Sequence, residues 1–139
     1  MSYATQQNLV DRFGESEILK ISDRDGDGAI DAGVVAKALA DADAEIDSYI
    51  GKRYALPLAS VPARVVALAE DLALYKLYPS NPSDDVVNYR NDAIAFLRDV
   101  ARGTAVLPGL DGADPAPVSA GVEVAGPERV FSRDTLKGF

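Results

Sequence analysis

The apolar positions along this chain recur in steps of three and four, the spacing of one face of a helix. After Asp31, Val35, Leu39, Ala42, Ile46 and Tyr49 or Ile50 line one side of a long helix that runs to about Gly51. Asp31 suits the N-cap, because a short carboxylate can accept from the free N–H groups of a first turn. Upstream, Thr5 caps a short helix with Leu9, Val10 and Phe13 inward, and Gly14 ends it. Ile18, Leu19 and Ile21 continue into a second short turn or helix. Pro57 disfavours helix at Leu56, so the chain leaves the pattern there. Pro62 fits the first turn of the next helix, with Val65, Leu68, Leu72 and Tyr75 as its stripe. Val66, Ala69 and Ala73 broaden that stripe, which marks this helix as the central one. Pro79 and Pro82 force a stop. Ser83 then caps a helix that turns Val86, Tyr89, Ala93, Phe96, Leu97 and Val100 inward and ends at Gly103.

Beyond Gly103 the pattern changes. Pro108, Gly109, Gly112, Pro115, Pro117, Gly121, Gly126 and Pro127 leave no room for a long helix, and Val118 to Val124 suits a short strand or hairpin arm. From Arg129 the chain regains anchors. Arg129, Arg133 and Lys137 recur every fourth residue, and Phe131, Leu136 and Phe139 are apolar. Apolar anchors on an arm are hard to bury within a small domain, so this segment is expected to dock on a neighbouring subunit, the alternative being that it folds back on its own helices. The pattern therefore predicts an all-α fold, a small bundle of four to five helices over residues 1–102. An extended arm over residues 103–139 follows, ending in a docking peptide.

Charge adds to this picture. The net charge is −8, and residues 11–47 hold eleven acids against Arg12, Lys20, Arg24 and Lys37. Residues 129–139 carry a net +2, so the two ends could attract each other between copies. So acidic a chain should not hold nucleic acid phosphates nonspecifically. Its 139 residues suffice for one domain with its own core. No apolar run approaches the roughly 20 residues of a membrane helix, and the first residues lack the basic and apolar regions of a signal peptide. A protein made in the cytoplasm without membrane contact is the expectation. There is no cysteine and no histidine. That removes thiol chemistry, the commonest general base and the commonest transition-metal ligand. An enzyme is not expected.

The strongest local motif is Asp23-Arg24-Asp25-Gly26-Asp27-Gly28-Ala29-Ile30-Asp31, within an EF-hand-like acidic loop at residues 22–34. Carboxylates stand at positions one, three, five and nine, glycine at six and isoleucine at eight, as in a calcium loop. Asp23, Asp25 and Asp27 would supply side-chain oxygens, Ala29 a carbonyl, and Asp31 a contact through water. Position twelve, normally a bidentate glutamate, is Val34. The leading helix is short and no second loop accompanies this one. A weak structural Ca2+ brace, with a Kd of roughly 10⁻⁴ to 10⁻³ M, is one reading. An Asp-Gly turn capped by Asp31 that needs no ion is the other. A calcium-regulated module is the alternative from a different functional class.

Other groups read as parts of surfaces. Asp41, Asp43, Glu45 and Asp47 face solvent or a basic partner. Lys52 and Arg53 complement the negative end of the long helix. Tyr75, Tyr78 and Tyr89 stand at the edge of the core. Without interleaved basic residues they make no stacking platform for nucleic acid.

Several segments together resemble a phage family, the Mu-like prophage proteins placed with head–tail joining proteins. They include Tyr3-Ala4-Thr5, Arg12-Phe13-Gly14, the acidic loop from Ser22 to Gly28, Ala44-Glu45-Ile46-Asp47-Ser48-Tyr49 and Arg53-Tyr54-Ala55-Leu56-Pro57-Leu58. Further pieces are Asp71-Leu72-Ala73, Leu77-Tyr78, Phe96-Leu97-Arg98-Asp99 and the run from Phe131 to Phe139. The resemblance spans nearly the whole chain. It implies a head–tail connector or adaptor subunit at the virion neck, without catalysis. The partners it implies are the portal protein, neighbouring copies in a ring usually of twelve, and a tail-side neck protein. Genomic DNA would pass through the lumen without specific binding. No catalytic or metal residue carries over from the family.

Overall fold

The computed structural model describes residues 2–110, which form five helices and no strand. These are α1 (Gln6–Phe13), α2 (Glu15–Ser22), α3 (Ala32–Ile50), α4 (Ala63–Leu77) and α5 (Asp84–Arg102). The fold is the expected all-α bundle. None of these helices is long and apolar enough to cross a membrane.

The helix starts follow from local chemistry. The Thr5 hydroxyl accepts from the Asn8 N–H, and the Asn8 side chain accepts from the Thr5 N–H. This reciprocal box satisfies two donors that have no partner inside α1. Asp31 accepts from Gly33 and Val34 at the start of α3, and Ser83 from Val86 at the start of α5. Asp84 and Asp85 occupy the first turn of α5, where negative charge meets the positive end of the helix.

α4 is the centre. It packs against α1, α3 and α5, while α1 and α2 pack on each other and on α3. Leu68, Leu72 and Leu77 of α4 are fully buried with Ile46 and Ile50 of α3 and Leu97 and Val100 of α5. Burial all around explains why the apolar stripe of α4 is so broad.

Two expectations change in the packing. Tyr89 does not enter the core: it is 40 % exposed on the shoulder of the apolar face of α5, with its ring 6.4 Å from that of Phe13. Ile94 is buried instead. The body also continues past Gly103, where it was expected to end. Leu107 is fully buried, its N–H donating 3.1 Å to the Tyr54 hydroxyl, and Leu110 is buried as well. Tyr54 thus serves the core and holds the chain that crosses the end of α3. The remainder of the expected arm, including Val118 to Val124, lies outside the described residues.

Candidate functional site

The acidic loop joins α2 to α3. Asp23 organises it, accepting from the N–H groups of Gly26 at 2.8 Å, Asp27 at 3.2 Å and Gly28 at 3.1 Å. Asp25 accepts from the Asp27 N–H and Asp27 from the Ala29 N–H. Gly26 and Gly28 hold φ of 74° and 80°, left-handed conformations that strain other residues. Arg24 donates 2.8 Å to the Leu77 carbonyl, tying the loop to the end of α4. Ile30 packs against the core.

Carboxylate oxygens of Asp23, Asp25 and Asp27 come within 4.8 Å of one another. The slight burial of Asp23 raises its pKa, but the hydrogen bonds led by Gly28 outweigh this and hold it below the ordinary value. For Asp25 the Asp27 N–H works downward, but the neighbouring carboxylates of Asp23 and Asp27 prevail and raise it. Crowding of like charge is what a cation would relieve. Asp31 does not join the cluster among the described residues; its carboxylate caps α3. Ala29 is exposed and contributes its N–H to the turn. Val34, at the clamp position, packs against the core. The loop thus brings together three of the four carboxylates proposed as ligands. The docking residues Arg129, Phe131, Arg133, Leu136, Lys137 and Phe139 lie outside the described residues.

Of the second acidic group only Asp41 is exposed to solvent. Asp41 pairs with Lys37 at 3.1 Å and Glu45 with Lys76 at 2.8 Å. Asp43 accepts from the Tyr3 N–H at 3.2 Å, and Asp47 accepts from the Tyr3 hydroxyl. Burial and the Asp47 carboxylate push the Tyr3 phenol well above its ordinary value. Burial also raises Asp43, against the hydrogen bond it accepts from the Tyr3 N–H. Asp43 and Asp47 anchor the N-terminal segment and Glu45 anchors α4 onto α3, whereas Asp41 pairs within its own helix and stays exposed.

That anchoring leaves a groove of about 560 Å³ between the N-terminal segment and α3. A smaller cleft of about 270 Å³ lies at the other end of α3, lined by Tyr49, Lys52, Arg98, Ala101 and Arg102.

Sequence reasoning missed one charged junction. Arg12 of α1 reaches Glu70 at 2.8 Å and Asp71 at 2.7 Å on α4, where both carboxylates are nearly covered. The Glu70 contact is an aligned hydrogen bond; the Asp71 contact is a close charge pair without hydrogen-bond alignment. Burial raises the Asp71 pKa, which the charge of Arg12 only partly offsets. The Arg12 guanidinium also lies over the Phe13 and Tyr89 rings. A signal was available. Two acids inside the broadest apolar stripe require a cation nearby, because an unpaired buried carboxylate is very costly. Across another seam, the Tyr78 hydroxyl donates 2.6 Å to Glu17. That hydrogen bond, then burial, pushes Tyr78 up to about 12.

The comparisons with known proteins cover the whole body. Residues 3–125 match the family profile described as Bacteriophage Mu, Gp36. The chain is 32 % identical over 137 residues to the Mu-like prophage FluMu protein gp36 of Haemophilus influenzae, covering 99 % of this chain and 97 % of that relative. It is also 32 % identical over 142 residues to Gene product J of Escherichia phage Mu, covering 100 % of this chain and 99 % of that relative. The EF-hand-like loop therefore sits within a phage protein, and the chain belongs to the bacteriophage Mu Gp36 family.

Proposed function

We propose that this protein is a head–tail connector subunit, a structural component of the phage neck that docks on the portal ring. The observation that carries the reading is the end-to-end match to Mu and Mu-like prophage proteins. The bundle supports it: a fully packed α4 held by ion pairs to α1 and α3 is a rigid unit suited to a ring wall. Copies would assemble side by side on the portal, with a tail-side neck protein below. An acidic surface would let DNA pass without adhering. No catalytic step is assigned to the protein.

In a phage lacking this gene, filled heads without tails should accumulate, and the full chain supplied in trans should restore tailed particles. A chain lacking residues 129–139 should fold but fail to restore them. The protein should be found by mass spectrometry in purified tailed virions. Normal tailed particles from the gene deletion, or absence of the protein from virions, would overturn the connector reading. Normal assembly with the truncated chain would overturn the role of the arm.

The acidic loop acts in this proposal as a brace for the start of α3, holding Ca2+ weakly between Asp23, Asp25 and Asp27. Convergence of the three carboxylates supports it. In calorimetry, 5 mM calcium added to EDTA-treated protein should raise the unfolding midpoint by about 3–6 °C, and Asp25→Asn should remove the shift. No shift, or an equal one in the variant, would leave the loop as an ion-free turn. No observation favours the calcium-regulated module.

A further inference from the structure

The groove between the N-terminal segment and α3 has an apolar floor and an acidic rim. Ala4 and Leu39 form its buried floor. Ala36, Ala40 and Ala44 of α3 are too small to fill it, and Asp43 and Asp47 edge it. At about 560 Å³ it is large enough for bulky side chains. Its carboxylates accept from Tyr3, which leaves their negative charge in place. A fitting occupant carries aromatic or aliphatic anchors and positive charge.

We infer that this groove receives residues 129–139 of the same chain. That segment offers Phe131, Leu136 and Phe139 for the floor and Arg129, Arg133 and Lys137 for the rim. The tether suits the distance. The described chain ends at Leu110, close to where Leu107 meets Tyr54 beyond the end of α3. Asp43 lies about 10 Å back along α3 from Ile50. Residues 111–128 are Pro- and Gly-rich and span up to about 60 Å when extended. A tether of this length gives an effective concentration in the millimolar range, so a modest contact suffices in the free subunit. The docking peptide is then covered until a partner displaces it. Both halves of the contact lie on this chain, so the inference does not depend on the connector reading.

The chain has no cysteine, so Ser132→Cys places a single nitroxide in the segment without removing a charge or an anchor. In the full-length, nitrogen-15-labelled protein, amide signals of Ala4, Thr5 and residues 36–47 should lose more than half their intensity. Ala40 is exposed, so Ala40→Glu should block the groove without disturbing the core and restore the signals. Phe131→Ser with Phe139→Ser should do the same from the other side. No broadening on α3, or broadening that survives both sets of variants, would overturn the inference. Equal broadening in a mixture of nitroxide-bearing chains without the isotope and isotope-labelled chains without the nitroxide would also overturn it and make a second copy the occupant. The readout is spectroscopic and made on the isolated chain, so its failure is distinct from a failure of particle assembly.

Discussion

Leu107→Ala should lower the unfolding free energy by about 3 kcal/mol, whereas Val106→Ala beside it should change stability by less than about 0.5 kcal/mol. Leu107 is fully buried and Val106 is 66 % exposed. Removing the Leu107 side chain opens a cavity against the end of α3, where its own N–H is held by the Tyr54 hydroxyl. The composition of residues 103–139 places both residues in an arm outside the bundle, where neither change would matter. Urea denaturation of the two variants decides between these pictures. Equal midpoints would mean that the chain past Gly103 does not belong to the core. A large loss for Leu107→Ala alone would fix the end of the body at or beyond Leu107.

Arg12→Ala should cost about 3 kcal/mol at neutral pH, from the loss of the shared cation of Glu70 and Asp71. The figure sits at the low end of the range for buried pairs because the Arg12 side chain is 35 % exposed and partly screened by solvent. The pH dependence has a definite sign. The folded pKa of Asp71 is already above its ordinary value with Arg12 present. A raised carboxylate favours folding below its unfolded pKa and loses that contribution as pH rises through the folded pKa. Removing Arg12 raises the pKa further, so the deficit of the variant relative to the parent should grow from pH 4 to pH 7. Replacing both acids in the variant, Glu70→Gln with Asp71→Asn, should recover part of the stability by removing unpaired buried charge. A deficit that stays constant with pH would show that Arg12 acts through packing on Phe13 and Tyr89 instead.

These two sites show where sequence reasoning works and where it stops. The start of α1 at Thr5, of α3 at Asp31 and of α5 at Ser83 was legible because a cap involves residues two or three positions apart. The core faces were legible for the same reason: periodicity is local. Tyr89 stands at the edge of the core as expected but not on the inward face, because it lies on the shoulder of its helix. There the position of α1 decides whether a ring meets the core or a cation, and Arg12 takes it. The acids of α3 failed because charge in one stretch of sequence says nothing about which distant chain covers it. Tyr3 takes Asp43 and Asp47 from forty and forty-four residues away. Leu107 was misplaced because glycine and proline nearby rule out a helix without ruling out burial.

The acidic loop divides in the same way. Its alternating aspartates and glycines dictate a tight turn that caps its own backbone, and this follows from the sequence alone. That Val34 joins the core and that Arg24 ties the loop to Leu77 depend on where α4 ends. By itself the sequence determined a bundle of four to five helices, the turn between α2 and α3 and a chain without histidine or cysteine. The tertiary structure alone decided which charges are paired, which aromatic is exposed and how far the body extends. Helices and turns are set by residues within a few positions of one another, whereas burial and ion pairing exist only once surfaces distant in sequence have closed.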